Sequence, residues 1–164
     1  MTVSVTIRPG GFGDAAFEAS ANAGLDWCWD EENLIAEYYD DSYDPGSTLV
    51  AEIDGTVVGK LELYIGAKST HGHFGVIRRF AVHPDHRSKG VGRALLDAAE
   101  ARARELGCTF LELSVDATNP AAHALYQREG FQEDRVEIIM RKSLDGKPHA
   151  SLYAAQKHEW NRQG

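Results

Sequence analysis

The chain has 164 residues and a formal net charge of -8, with 43% hydrophobic and 26% charged residues, the size and balance of one folded domain rather than a disordered chain. No apolar run approaches a bilayer span, and the first residues lack the basic-then-apolar layout of a secretion signal. Two cysteines, Cys28 and Cys108, make neither a disulfide framework nor a Cys-rich zinc site, so a reducing, cytoplasmic setting is expected, with no membrane partner.

In chain order, residues 3–8 alternate apolar with polar and predict a strand, stopped by Pro9-Gly10-Gly11. A helix is expected over residues 14–23, broken at Gly24. A second is expected from an N-cap at Asp30, with Glu31 and Glu32 in its first turn and Leu34, Ile35, Tyr38 and Tyr39 as its apolar stripe. Residues 9–59 hold 12 of the 25 acids and no Lys or Arg, whereas the remainder carries 13 acids against all 17 basic residues. An acidic first third argues against nucleic-acid binding, which needs clustered cations, and suits a cationic amine. Plain solvation of exposed helices accounts for the same acids equally well.

Asp54-Gly55 between two β-rich runs, residues 48–53 and 56–65, predicts a hairpin, because this dipeptide tolerates positive φ. After a loop over residues 66–73, residues 74–82 read as a strand closed by His83-Pro84-Asp85. A long helix is expected from Gly90 to about Leu106, with Val91, Ala94, Leu95, Ala98 and Leu106 on one face and Gly107 ending it. A strand over residues 109–115 follows. Next comes a short helix capped by Asn119, with Pro120 in its first turn, closed at Gly130; a last strand is expected over residues 135–142. Residues 145–164 form a tail. In it Leu152, Tyr153, Gln156 and Trp160 would share one side of a terminal helix, and fraying fits equally.

Chemistry concentrates where the strand over residues 74–82 turns into the long helix. Gly90 and Gly92 let backbone approach an anion, the first helical N–H groups point at it, and Arg87, Lys89 and Arg93 supply charge with no intervening acid. The same residues also suit an ordinary tight turn. The nucleotide P-loop pattern is absent. The dinucleotide fingerprint fails at its third glycine, where Leu95 stands, and Glu112, at the distance of its ribose-binding acid, lies in mid-strand. His71, His73, His83, Asp85 and His86 are metal-ligand types, but they lie at opposite ends of one strand about 30 Å long, so no metal is expected.

The run Phe80-Ala81-Val82-His83-Pro84-Asp85-His86-Arg87-Ser88-Lys89-Gly90-Val91-Gly92-Arg93-Ala94-Leu95 resembles the acyl-CoA signature of the GNAT superfamily of N-acetyltransferases, centred on Arg/Gln-x-x-Gly-x-Gly/Ala. The family's second element follows in Asn119-Pro120-Ala121-Ala122-His123-Ala124-Leu125-Tyr126, then Gly130-Phe131. The resemblance implies an α/β (α+β) fold in which a mixed, mostly antiparallel sheet is flanked by helices and its central strands splay into an acyl-CoA cleft. A single acyltransferase domain over residues 1–144 would precede the tail. It further implies pantetheine pairing near Phe80, Ala81 and Val82, and diphosphate binding by Arg87, Ser88, Lys89, Gly90, Val91, Gly92 and Arg93. Asn119 and Ala122 would line the channel. The expected reaction is acetyl transfer from acetyl-CoA to a primary amine of a small molecule or peptide, by direct attack in a ternary complex. The Val82 N–H would be the oxyanion donor and Tyr126 the acid for the leaving thiolate.

A base must also accept the amine's proton. Many relatives carry an acid in the stretch matched by Val76, Ile77, Arg78 and Arg79, where this chain has none. Glu112, Glu62 and His73 are the candidates, with Glu112 preferred and a water relay open. Arg78 and Arg79 suit either an acceptor carboxylate or acids on a neighbouring strand, the latter favoured. A non-catalytic acyl-CoA-binding or regulatory module is the alternative, and a homodimer built partly on the tail is left open.

Overall fold

Five short segments of the chain find one another as strands: β1 (Thr6–Pro9), β2 (Thr48–Ile53), β3 (Thr56–Ile65), β4 (Phe74–Val82) and β5 (Phe110–Leu113). The structure, a computed structural model, describes residues 4–21, 45–66, 73–117, 119–138, 140, 142–144 and 146. The chain divides into two units, Met1–Ser114 and Val115–Gly164.

In the first unit the strands lie in the order β1-β2-β3-β4-β5, antiparallel except for the parallel β4–β5 pair. This is the open, mixed, mostly antiparallel sheet expected. The β2–β3 hairpin turns at Asp54 and Gly55, with φ of 51° and 76°, as the dipeptide requires. Strand β1 runs through Pro9 rather than stopping before it, since the last residue of an edge strand needs no ladder N–H.

Among the described residues of this unit, two helices pack on the sheet. α1 (Ala15–Ala21) follows a single turn of 3-10 helix, Phe12–Asp14. α2 (Val91–Glu105) buries Val91, Leu95, Leu96, Ala99 and Ala103. The stripe is rotated from the expected one: Leu106 is exposed, and the four-residue row 91-95-99-103 meets the sheet. Close approach explains this choice. A Cβ at Gly59 would lie 2.9 Å from Val91 Cγ1 and 3.0 Å from Leu95 Cδ1, so the helix rests almost on strand backbone. Burying Val91 and Leu95 stabilises the fold by about 2 kcal/mol each.

Two irregularities shape the centre of the sheet. The β4–β5 ladder joins Phe74–Ile77 to Phe110–Leu113 and ends there, while β4 continues to Val82. Its second half therefore has no strand on the β5 side among the described residues. The β3–β4 register also shifts between Lys60 and Glu62, opposite Arg79, whose φ of 46° marks a strained bulge.

The second unit contains α3 (Pro120–Arg128), where Asn119 Oδ1 accepts the Ala122 N–H at 3.1 Å as the expected N-cap. The expected last strand over residues 135–142 does not form among the described residues. Val136, Ile138 and Met140 alternate as a strand would, yet they are 78%, 77% and 89% exposed. Alternation supplies a face, and a strand also needs a ladder to pair with. The helix expected from Asp30, the acidic run from Asp26 to Asp44 and the tail over residues 147–164 lie outside the described residues.

Candidate functional site

Leaving β4 at Val82, the chain makes one 3-10 turn, Pro84–His86, which His83 caps by accepting the Asp85 N–H on Nδ1 at 3.3 Å. It then reaches α2 through Ser88 at φ 61° and Gly90 at φ 83°. The first intrahelical bond is Ala94 N–H to Gly90 O at 3.0 Å, so the Val91 and Gly92 amides have no helical partner. Gly90, the N-cap, has no side chain to satisfy them.

This turn faces outward. Arg87, Ser88, Lys89 and Gly90 are exposed, and a Cβ on Gly90 would meet nothing within 4 Å. Uncapped amides, the positive helix end and open space make an anion cradle. Arg87 Nε donates to the Val82 carbonyl at 3.3 Å, tying the loop to the strand. Arg93 is exposed and lies 3.8 Å from the Asp97 carboxylate. The Val91 side chain is buried against the sheet, which leaves its backbone N–H as the group facing the cradle.

The free half of β4 adjoins this turn. His83 N–H donates to the Val58 carbonyl at 2.9 Å, and Val82 opposes Gly59. Because amides alternate along a strand, the Val82 N–H points away from β3, toward the side where β5 has parted. Ala81, opposite Lys60, turns its own backbone groups to β3; Phe80 precedes it at the bulge.

The pairs Glu62–Arg78, Tyr64–Val76 and Val76–Glu112 share the sheet face opposite α2. Glu62 is buried and crowded by donors: Lys60 Nζ at 3.2 Å, Arg79 Nη1 at 3.4 Å and the Tyr64 hydroxyl at 3.1 Å. Its carboxylate is committed to structural contacts within the sheet. Arg79 thus pairs with a neighbouring strand, the favoured expectation, while Arg78 is exposed with its guanidinium 5.0 Å over the Tyr64 ring. Glu112 is half-buried on this face. His73, whose carbonyl accepts the Thr109 N–H at 2.7 Å, precedes β4 at the end remote from Val82, about 30 Å along an extended strand. Among the described residues no group of three metal-ligand side chains gathers, and no helix is long and apolar enough to cross a membrane; His71 lies outside the described residues.

Sequence reasoning missed a second ionic anchor. Arg8 donates through Nη1 and Nη2 to buried Asp14 at 2.9 and 2.8 Å, and through Nε to Glu52 at 2.7 Å. Burial pushes the Asp14 carboxyl upward, but the Arg8 hydrogen bonds, the Gly11 N–H and the charges of Arg8 and Lys60 hold it below its ordinary range. The only signal was a lone Arg8 ahead of a cation-free stretch.

In the second unit the Tyr126 ring stands edge-on to Phe131 at 5.9 Å between centroids. Burial pushes its hydroxyl above its ordinary value, which keeps it protonated and able to donate. The Asn119 carbonyl and Ala122 N–H satisfy each other as the helix cap.

Comparison with known proteins accords with this geometry. The acetyltransferase (GNAT) family model matches residues 15–131. Mycothiol acetyltransferase of Thermobispora bispora is 32% identical over 143 residues, covering 84% of this chain and 48% of that protein. The chain thus spans about half the length of that relative. Among solved structures, ribosomal-protein-alanine N-acetyltransferase from Brucella melitensis biovar Abortus 2308 matches with a TM-score of 0.70 at 24% identity, over 85% of this chain and 100% of that one. An aminoglycoside N-acetyltransferase in complex with CoA matches with a TM-score of 0.71 at 19% identity, over 87% and 97%. At those identities the two structures speak for the fold alone. With a family match across most of its length, an outward-facing glycine turn and a half-free β4, this chain belongs to the GNAT family of acetyltransferases.

Proposed function

We propose that the chain moves an acetyl group from acetyl-CoA to a primary amine of a small molecule or peptide, by direct attack in a ternary complex. The observation that carries this reading is the junction of β4 and α2. There the uncapped amides of Val91 and Gly92 open beside a strand edge from which the Val82 N–H projects. The residues present fit the donor: the open space at Gly90 admits a diphosphate, and Arg87, Ser88, Lys89 and Arg93 surround it with donors.

When bound, acetyl-CoA supplies the thioester carbonyl that a neutral amine attacks. Phe80 and Val82 would pair with the pantetheine arm, and the Val82 N–H would donate to the carbonyl oxygen as it gains charge, a contribution of about 3 kcal/mol for a well-placed donor. Tyr126, held protonated by burial, would donate to the departing sulfur. Asn119 and Ala122 would line the channel. Glu112, half-buried on the sheet face opposite α2, would take the amine's proton directly or through water. The mycothiol acetyltransferases support a small-molecule acceptor by analogy.

Mass spectrometry of products from an amine panel with acetyl-CoA, beside calorimetric titration of acetyl-CoA, tests the proposal. Acetylated product is expected; failure of every acyl-CoA to bind overturns it. Arg78 and Arg79 standing where relatives carry an acid favour a second reading, a non-catalytic acyl-CoA-binding module. Tight binding without turnover, unaltered by Tyr126→Phe, would select it.

A further inference from the structure

Arg78, on β4 of the first unit, is an arginine that ion pairs among the described residues do not account for. Glu62 is already met by Lys60 Nζ, Arg79 Nη1 and the Tyr64 hydroxyl, so the cross-strand acid nearest Arg78 is taken. Arg78 itself makes no ion pair with a carboxylate among the described residues; its guanidinium rests 5.0 Å above the Tyr64 ring and is exposed. The ring face offers the guanidinium charge an attraction but no carboxylate to receive its N–H groups. Those N–H groups can grip a carboxylate through two parallel hydrogen bonds.

The location matters as much as the chemistry. Arg78 is the first β4 residue past the end of the β4–β5 ladder, so it stands at the mouth of the gap. It lies on the face opposite α2, as its pairing with Glu62 and its contact with Tyr64 require. In the transferase reading, a donor with its diphosphate at the α2 N-terminus would present its thioester through the gap toward that face. An amine arriving to meet it therefore passes Arg78.

We infer that Arg78 is a specificity residue that clamps a carboxylate of the acceptor. The inference rests on the transferase reading above. Val82 lies four positions beyond Arg78, at most about 13 Å of strand, and the arginine stem closes part of that distance. The carboxylate therefore lies well away from the reacting nitrogen, further than in an α-amino acid reacting at its own α-amine. The C-terminus of a short peptide acetylated at its N-terminus meets that spacing, as does the α-carboxylate of a lysine-like amino acid acetylated at its ω-amine.

The test compares matched acceptors in steady-state kinetics with acetyl-CoA: trialanine against trialaninamide, and lysine against cadaverine. For the native chain, kcat/KM for the carboxylate member of each pair should exceed its partner by about tenfold or more, mainly through KM. Arg78→Gln should bring the carboxylate acceptors down to the level of their neutral partners, with Arg78→Lys recovering part of the difference. Equal use of acid and amide by the native chain overturns the inference even if a variant misfolds. So does turnover confined to amines without a carboxylate, or an Arg78→Gln effect equal on both members of a pair. In each of those outcomes the transferase reading survives. Turnover of no amine at all despite acetyl-CoA binding overturns that reading, and this inference with it.

Discussion

The two ends of α2 offer a matched experiment on the acyl-CoA cradle. Gly90 and Gly107 both occupy the left-handed region, at φ 83° and 78°, and a Cβ at either would meet nothing within 4 Å. Alanine at either site therefore introduces no clash and leaves only the backbone cost, about 1–2 kcal/mol. For a chain of this length each variant should melt roughly 3–6 °C lower, and the two should agree closely. Their ligand behaviour should differ. At Gly90 the new methyl occupies the open side of the turn, where phosphate oxygens would approach the Val91 and Gly92 amides in the proposed complex. Loss of one such charge-assisted hydrogen bond, about 1.5–3 kcal/mol, weakens acetyl-CoA binding roughly tenfold to a hundredfold. Gly107, at the other end of the helix, has no such role. Thermal unfolding and isothermal titration calorimetry on both variants measure the two quantities separately. Equal acetyl-CoA affinities in Gly90→Ala and Gly107→Ala would refute the cradle, however well the fold is otherwise described.

Tyr126→Phe should lower kcat about a hundredfold with little change in KM for acetyl-CoA, whereas a tyrosine that only packs on Phe131 would leave kcat intact. Because burial raises the Tyr126 hydroxyl above its ordinary value of 10.0, its deprotonation should cause no fall of the native kcat on the alkaline side between pH 7 and 9. For the same reason its contribution to stability is present below that ordinary value and lost as pH climbs through the raised one. Alkaline unfolding of Tyr126→Phe should accordingly be less steep in a fluorescence titration. Glu112→Gln should reduce kcat/KM by about a hundredfold for a charged alkylamine, measured by thiol release, and an unchanged value would remove Glu112 as base. Asp14→Asn should cost about 2 kcal/mol in urea unfolding, since it weakens a buried, doubly hydrogen-bonded carboxylate. Asp14 titrates below its ordinary 3.8 in the folded chain, so its contribution is present above that value and fades as pH falls through the depressed one. The native stability should therefore drop more steeply below pH 4 than that of the variant.

What could be read from the chain by itself was local chemistry. Asp54-Gly55 demanded positive φ, Asn119-Pro120 an N-cap and first turn, and Gly90 a left-handed entry to a helix; each element followed within a residue or two. These signals depend on neighbours in sequence, whose energies are set before the chain folds. The glycine turn and the uncapped start of α2 were legible for the same reason, since their parts lie between Val82 and Arg93. Matters that depend on pairing across the sheet were settled only by tertiary structure. The alternation at Val136, Ile138 and Met140 forms no strand among the described residues, where no ladder pairs with it. The bulge at Arg79, the rotation of the α2 stripe onto Gly59, and the saturation of Glu62 that leaves Arg78 over Tyr64 all require residues far apart in sequence to meet. A side chain's role in a sheet is decided by which residue stands opposite, and register is a property of two strands rather than one.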